Sequence, residues 1–421
     1  MARSPALAAI LRTPPTGLRT LTLANVITDA TRRANLGGDG LAEPGGFGVW
    51  PAATNLCING GGETNATGWA ASSNYVISRS TEQAKFGAAS LKSVFPASST
   101  GTGTAVFAIT LTAAAHAGSM WVYVPTDYDG GALAAEFLNF GSPTVASTRA
   151  AVDLGLRDQW QRLSVTITPA AGDLVGDIRL TIDGALPTTG RAIYVDGVQV
   201  ETGSIATPYI ETDGATATRA AAGIEINPTG LLTPTQGWIA YRLKMGWGVA
   251  SEASPGGNPP FLLQWSTDGS NNIAVDYDAT NNWWRLTRIG AATSAQTQTA
   301  ALTFATGDEV TIIAAWDATG LHISFNGAAF VSTAQTAIPA LPATLYLASW
   351  ASTRQVSSNV RWIMLGKGIP AAGDVTAINA YTAPPPTLGQ IAMLSFASKP
   401  TLLIPAKTGD AVLLPAYFVG G

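Results

Sequence analysis

Short segments in which apolar and polar residues alternate recur along most of this chain and constrain its fold more than any other feature. Examples are residues 118–124 (GSMWVYV), 160–167 (WQRLSVTI) and 309–316 (EVTIIAAW). A period of two places every second side chain on one face of a β-strand. Gly, Ser, Thr, Asn and Asp separate these segments, as expected for turns between antiparallel strands. The pattern predicts an all-β chain built from antiparallel sandwiches.

One segment, residues 374–381, predicts a helix. Val375, Ile378 and Tyr381 would share one of its faces, and Asp374 is the candidate N-cap. A run of three prolines follows and would end the helix.

Composition divides the chain into four regions. Residues 53–215 and 216–383 carry the alternating segments and are predicted to form two consecutive sandwiches. Residues 1–52 and 384–421 are rich in proline or glycine and have few apolar faces to bury on themselves. We expect these two flanking regions to be extended assembly segments that become ordered on a neighbour.

The flanking regions also contain short apolar stretches. Residues 18–27 predict a strand, and residues 402–404 and 412–414 are each followed by a proline. Such stretches suit edge strands, or strands added to the sheet of a partner. This arrangement favours a homo-oligomer or a protein that binds other components of a large complex.

Charge and cysteine content exclude several classes of function. Charged residues make up 12% of the chain and the net charge is −4, so a nucleic-acid partner is disfavoured. The single cysteine, Cys57, excludes intramolecular disulfides and cysteine-based zinc cages. No stretch approaches the roughly 18 apolar residues of a membrane span, and Pro14 and Pro15 interrupt any signal-peptide core. We therefore expect no membrane insertion, and synthesis in a cytoplasm.

Catalytic motifs are missing from the sequence. It contains no nucleotide-binding glycine motif, no G-x-S-x-G and no H-E-x-x-H. Glycoside hydrolysis needs two carboxylates flanking the substrate, and Asp276 and Asp278 share one face of a predicted strand. Their alternative interpretation, a solvated outer face, is favoured because acidic residues are seldom buried. We expect a protein that is not an enzyme.

Tryptophan is abundant, with 12 residues, and aromatic faces either fill sandwich cores or contact ligands. Alternation places Trp121, Trp238 and Trp316 in the core. The remaining candidates for exposed, glycan-binding positions are Trp247, Trp283, Trp350, His322 and Asn326. His322 has an alternative role as a solvated surface residue, and Asn326 with the next glycine predicts a hairpin turn.

Both ends of the first predicted sandwich resemble a family of jelly-roll carbohydrate-binding modules. Residues 55–69 (NLCINGGGETNATGW) and 78–94 (SRSTEQAKFGAASLKSV) resemble its opening strands, with three glycines where the family has Pro-Ser-Phe. Residues 193–201 (IYVDGVQVE) and 206–210 (ATPYI) resemble its closing strand as found in bacteriophage tail and other virion proteins. The resemblance covers about 160 residues and implies a jelly roll.

The second predicted sandwich resembles concanavalin-A-like, laminin-G-like domains. The similar segments are residues 238–241 (WIAY), 307–316 (GDEVTIIAAW), 321–327 (LHISFNG) and 362–365 (WIML). Together the two resemblances imply an all-β chain with a jelly roll, then a concanavalin-A-like sandwich, between extended terminal arms.

The function that these resemblances imply is that of a non-enzymatic phage virion component. It would be assembled in the host cytoplasm as a minor tail or fibre-like protein, contact other virion proteins through its arms, and bind host surface glycans. Two alternatives stay open: a head decoration protein on the capsid surface that has lost sugar binding, and a secreted glycan hydrolase with an attached binding module.

The jelly-roll resemblance also implies a structural calcium ion. In the family, calcium often ties the opening strand to the closing strand through an acidic residue on each. By motif position these residues are Glu63 and Asp196. Calcium takes six to eight oxygen ligands, so backbone carbonyls would complete the site. We expect no other cofactor.

Overall fold

The computed structural model describes residues 18–24, 47–71, 74–99, 101–141, 147–229, 232–249, 260–350, 354–381, 402–403 and 412–415. Contacts divide the chain into two compact units. The first sandwich comprises the described residues of 52–220, and the second sandwich comprises those up to 51 and from 221 onward. Nearly all regular structure in both units is antiparallel β-sheet, so the predicted fold class is confirmed.

Up to residue 219 the strands are β1 (Leu18–Ala24), β2 (Phe47–Val49), β3 (Ala53–Asn55), β4 (Trp69–Ala70), β5 (Val76–Ser80), β6 (Ser90–Val94), β7 (Gly103–Thr110), β8 (His116–Tyr123), β9 (Ala132–Leu138), β10 (Arg149–Ala151), β11 (Trp160–Ile167), β12 (Val175–Asp183), β13 (Ala192–Thr202) and β14 (Ala217–Arg219).

The remaining elements are β15 (Gly223–Ile226), β16 (Gly237–Lys244), β17 (Phe261–Asp268), β18 (Asn271–Asp278), β19 (Trp283–Gly290), β20 (Thr293–Gln298), β21 (Glu309–Trp316), β22 (Gly320–Phe325), β23 (Val331–Ala334), β24 (Leu345–Leu347), β25 (Ser358–Gly366), helix α1 (Ala372–Ala380), β26 (Leu402–Leu403) and β27 (Val412–Pro415).

The first sandwich has the strand order of a jelly roll. Its front sheet runs β5–β6–β13–β8–β11 and its back sheet runs β4–β7–β12–β9–β10. Of the seven connections between β6 and β13, six cross from one sheet to the other. This connectivity produces two interlocked Greek keys. Alternate residues of both sheets, such as Met120 and Val122 of the front sheet and Ile178 and Leu180 of the back sheet, are buried in one shared core.

A polar network covers one end of the front sheet's outer face. Glu201, buried on β13, accepts hydrogen bonds from the backbone N–H and the hydroxyl of Thr207, both at 2.7 Å. Arg162 of β11 donates to the Thr207 carbonyl at 2.7 Å, and Arg219 donates to the Thr207 hydroxyl at 2.8 Å. These bonds hold the loop after β13 against the sheet.

The second sandwich consists of two larger sheets. One runs β20–β19–β18–β17–β24–β15–β1–β27, and the other runs β2–β25–β16–β21–β22–β23, with β26 paired to β25. Trp238 and Trp316, predicted to be core residues, are at most 2% exposed, and Trp121 of the first sandwich is 6% exposed. The core positions predicted for Trp238 and Trp316 are confirmed. The core position predicted for Trp121 was wrong, because this residue lies on the outer face of the front sheet, where Lys85 and Phe86 cover it.

Helix α1 is present but begins earlier than predicted. Val375 and Ile378 are buried, as the sequence pattern indicates. The N-cap is Ala371, and Asp374 lies three residues into the helix, where its carboxylate accepts the Ala371 N–H at 2.9 Å. The assignment of Asp374 as N-cap was therefore wrong, although the residue still satisfies a terminal N–H group.

The terminal strands pair within the chain. β1, predicted at residues 18–27, pairs with β15 and β27, while β2 and β26 pair with β25. Most of residues 1–52 and 384–421 lie outside the described residues, so their role in assembly stays a prediction. Among the helices that the structure describes, none is long and apolar enough to cross a membrane.

Candidate functional site

Three aromatic side chains form a straight row across the outer face of the front sheet. Strand register places Trp160 of β11 opposite Tyr123 of β8, and Tyr123 opposite Tyr194 of β13. The ring centroids are 5.5 Å apart in the first pair and 5.9 Å in the second. Lys92 of β6 continues the row beside Tyr194, with its ammonium 5.7 Å from the ring centroid.

A polar cleft of about 530 Å³ opens over two members of this aromatic row. Tyr123 and Tyr194 line it, together with loop residues that follow β5, β8 and β12 or precede β11 and β13. The charged residues that line it are Glu82, Lys92, Asp127, Asp158 and Arg191. A volume of this size suits a small ligand or a short segment of a polymer.

Two carboxylates fix the tyrosine hydroxyls. The Tyr194 hydroxyl donates to Glu82 Oε2 at 2.5 Å, and the Tyr123 hydroxyl donates to Asp158 Oδ1 at 3.3 Å. Asp158 occupies the left-handed backbone region at φ 54°, which Asp tolerates better than most residues. Both rings are therefore held in fixed orientations by groups from neighbouring loops.

The charges of the cleft are largely paired. Lys92 Nζ lies 2.7 and 2.8 Å from the two oxygens of Glu82, and Arg191 forms an ion pair with Asp127. Hydrogen bonds from Lys92 and then Tyr194 lower the pKa of Glu82. Burial, followed by the bond to Glu82, raises the pKa of Tyr194. Tyr194 therefore keeps its proton, and Glu82 stays ionised, around neutral pH.

This combination of groups suits binding rather than covalent chemistry. Aromatic faces offer apolar surface to a ring-shaped ligand, while hydroxyls and carboxylates fix its orientation by hydrogen bonds. The sequence analysis did not identify the cleft. The alternation in 118–124 and 160–167 places Tyr123 and Trp160 on outer faces, but the pairing of the strands cannot be read from these segments.

The predicted glycan-binding tryptophans lie in the second sandwich in three different environments. Trp247 is 1% exposed, its ring packs against Tyr277 and Phe304 at 4.8 and 5.0 Å, and its Nε1 donates to a backbone carbonyl. The expectation that Trp247 is exposed was therefore wrong, because distant segments enclose it. Trp283 is half-buried, and Trp350 is 38% exposed.

His322 and Asn326 have local hydrogen-bond partners. His322 Nδ1 lies 2.8 Å from the Ser332 hydroxyl on the neighbouring strand, and burial lowers the pKa of the imidazole. Asn326, exposed and at φ 49°, accepts the Thr311 N–H at 2.8 Å and forms the predicted turn. Participation of Trp283, Trp350, His322 and Asn326 in glycan binding stays a prediction.

The two candidate carboxylates of the second sandwich are bound to an arginine. Asp276 is 4% exposed and lies 2.5 Å from Arg285, directly opposite it on β19. Asp278 lies 3.7 Å from the same guanidinium. The interpretation of Asp276 as a solvated residue was therefore wrong: it is buried and paired.

Glu63 and Asp196 lie close together on the first sandwich. A Cβ atom placed on Gly61 would be 2.9 Å from Asp196 Oδ1 and 3.8 Å from Glu63 Oε1, so both oxygens border one small space. Glu63 Oε1 is buried without a hydrogen-bond partner among the described residues. Burial raises the pKa of Asp196 to about 7, although three backbone N–H groups donate to this carboxylate and the nearby Glu63 raises its pKa further.

These two carboxylates fit a hard cation. An unpaired buried carboxylate oxygen facing a second carboxylate is costly without a counter-charge, and oxygen ligands suit calcium. Among the described residues, no three His, Cys, Asp or Glu side chains converge as a metal-binding group. A cation here would therefore be held by Glu63 and Asp196 with carbonyl or hydroxyl oxygens.

Comparison with known proteins gives structural likenesses only. No protein-family model matches the chain, and no curated protein matches it. The CBM22-1 xylan-binding domain of Paenibacillus barcinonensis Xyn10C is 16% identical, with a TM-score of 0.26, and the match covers 35% of this chain and 90% of that one.

Two further solved structures match a larger part of the chain. The CBM22-1–CBM22-2 tandem domain of the same Xyn10C is 12% identical, with a TM-score of 0.28, over 74% of this chain and 96% of that one. Domains LG4-5 of the mouse laminin alpha1 chain are 9% identical, with a TM-score of 0.25, over 74% of this chain and 91% of that one. What this chain binds is inferred below from its own residues.

Proposed function

We propose that the chain is a non-enzymatic glycan-binding protein and that the cleft on the front sheet of the first sandwich is its binding site. The observation that carries this proposal is the row formed by Trp160, Tyr123 and Tyr194, which presents aromatic rings beside paired carboxylates. Sugar rings combine an apolar face with hydroxyl edges, and the row and the cleft offer a partner for each.

Binding of soluble polysaccharides to the full-length chain tests the site. Affinity electrophoresis with β-glucan, xylan, mannan and dextran identifies a ligand, and titration calorimetry gives its Kd. Trp160→Ala and Tyr123→Ala are each expected to raise the Kd at least tenfold, since a central aromatic contact contributes roughly 2 kcal/mol. The expected effect of Tyr123→Phe, which keeps the ring and removes only the hydroxyl, is smaller.

Trp350→Ala is the matched control, because it removes an exposed tryptophan from the second sandwich. It is expected to leave the Kd unchanged. Loss of binding in Trp350→Ala, with binding retained in Trp160→Ala, would transfer the site to the second sandwich. Cys57, buried in the core of the first sandwich, reports through its protection from thiol reagents whether the first sandwich stays folded in each variant.

We propose further that the protein serves as a virion component, in the tail or on the capsid surface. The resemblance of residues 193–201 and 206–210 to the closing strand of phage virion proteins supports this role, as does the low content of charged residues. Antibody labelling of phage particles tests this role. Signal on the tail supports a fibre-like protein that contacts host glycans, and signal on the capsid alone supports a decoration protein. Absence of signal on any particle refutes both roles.

A structural calcium ion is the third part of the proposal. The unpaired Glu63 oxygen and the raised pKa of Asp196 support it. Bound calcium would supply positive charge that keeps the Asp196 carboxylate ionised, and it would tie the residues after β3 to β13. Calcium should raise the temperature at which the first sandwich unfolds, by mass action, and chelator should reverse the effect. Equal temperatures in both buffers would refute the site.

A further inference from the structure

Four of the five hydroxyl groups that line the cleft, all but that of Thr189, donate their protons to a carboxylate and away from a ligand. Besides the two tyrosines, the Thr126 hydroxyl donates to Asp158 Oδ2 at 3.0 Å, and the Thr188 hydroxyl donates to Asp129 Oδ2 at 2.5 Å. A hydroxyl has one proton and two lone pairs. With the proton committed to a carboxylate, each hydroxyl offers only lone pairs to a bound molecule.

The cations of the cleft are committed as well. Lys92 donates to both oxygens of Glu82, and Arg191 is paired with Asp127. Arg191 Nε has no acceptor among the described residues, but the atom is buried and therefore not open to a ligand in the cleft. The lining carries three carboxylates against two cations, so the cleft is rich in acceptors and slightly negative.

We infer that the cleft selects neutral, hydroxyl-rich glycans and rejects glycans that carry carboxylate or sulfate groups. The inference rests on the proposed function and adds the chemical class of the ligand. Sugar hydroxyls donate to the lone pairs of Tyr123, Tyr194 and the carboxylates. A uronate or sulfate group brings only acceptors and negative charge, so it would face unpaired acceptors and like charge, each of which is costly.

Pairs of soluble polymers that share a backbone and differ in charge test the inference on the full-length chain. The probes are hydroxyethyl cellulose against carboxymethyl cellulose, dextran against dextran sulfate, and methyl-esterified against de-esterified pectin. For at least one pair, the neutral member is expected to bind with a Kd at least tenfold below that of its acidic partner. Its Kd should change less than twofold between 50 and 500 mM NaCl, because no net charge is neutralised.

Equal or tighter binding of the acidic member would overturn the inference and leave the proposed function intact. Failure of all six polymers to bind would instead count against the proposed function. Asp158→Asn replaces the Oδ2 acceptor of the Thr126 hydroxyl with an NH2 donor, while its oxygen can still accept from Tyr123 and the Thr126 N–H. Because it also removes one negative charge, the preference for the neutral member should shrink at least threefold. The matched control is Asp183→Asn, which changes an exposed carboxylate on the back sheet and should leave the preference for the neutral member unchanged. An equal loss of preference in this control would refute the role of Asp158.

Discussion

The Asp196 carboxylate makes the stability of the first sandwich depend on pH when calcium is removed. Its pKa is about 7 in the folded protein against 3.8 for an ordinary Asp. A raised carboxylate pKa means that the folded state binds an extra proton between these values. The contribution of Asp196 to stability is therefore fully present below pH 3.8, decreases as the pH rises, and is lost above pH 7.

The size of the effect follows from the difference in pKa. A change from 3.8 to about 7 corresponds to about 4 kcal/mol, at about 1.4 kcal/mol for each pKa unit. About 3 kcal/mol of this loss falls between pH 5 and 8, which changes the opening equilibrium of the first sandwich roughly a hundredfold. Calcium bound at Glu63 and Asp196 would stabilise the ionised form of Asp196 and should abolish the loss.

Cys57 provides the assay in the intact chain. It is the single cysteine and is fully buried in the first sandwich, so the rate of thiol labelling reports the opening of this unit alone. Rates at each pH are divided by the rate in denaturant, which corrects for ionisation of the thiol. With chelator, protection should fall about a hundredfold from pH 5 to 8, whereas with calcium it should hold.

Asp196→Asn isolates the contribution of this residue. Asn cannot accept all three backbone N–H groups that Asp196 accepts, so the variant is less stable at every pH, but its pH dependence should be weaker. The buried Glu201 also has a raised pKa, which is why the difference between variant and wild type is the relevant quantity. Equal pH dependence in variant and wild type, both with chelator, would refute the reasoning.

Three further substitutions have expected outcomes. Arg288→Met removes a fully buried guanidinium that donates to two backbone carbonyls of the second sandwich. It should lower the free energy of unfolding by about 2–4 kcal/mol, as measured by denaturant unfolding with tryptophan fluorescence. Gly197→Ala places a side chain at φ 56° against two aromatic rings and should lower Cys57 protection by at least tenfold. Asp276→Asn removes the buried carboxylate that pairs with the half-buried Arg285 and should destabilise the second sandwich by roughly 1–3 kcal/mol. Release of reducing sugar by wild type but not by this variant would instead support the hydrolase alternative.

The strands could be predicted from sequence because alternation is a local property. Residues 118–124 and 160–167 fall on β8 and β11. The face of Trp121 was predicted wrongly, because a loop that contains Lys85 and Phe86 buries it on the outer face. The aromatic row could not be predicted, although Trp160, Tyr123 and Tyr194 all lie in alternating segments. It depends on the register between strands that are more than 30 residues apart, and register is fixed by the whole sheet.

The errors have the same origin. Trp247 follows β16 outside any alternating segment, so its position in the sequence does not reveal that Tyr277 and Phe304 from later segments enclose it. Asp276 lies on an outward position, as alternation predicts, but Arg285 on the next strand pairs with it. In both cases burial is determined by partners that are distant in sequence.

One irregularity in β13 explains how a single strand serves the cleft, the proposed cation site and the polar network. Tyr194 and Asp196 occupy the outer face as even-numbered residues, whereas Gln199 and Glu201 occupy it as odd-numbered ones. The change of parity comes from a β-bulge between Asp196 and Gln199, with Gly197 in the left-handed region. If the same residues formed a regular strand with no bulge, the carboxylate of Glu201 would point into the apolar core, where a charge is prohibitively costly.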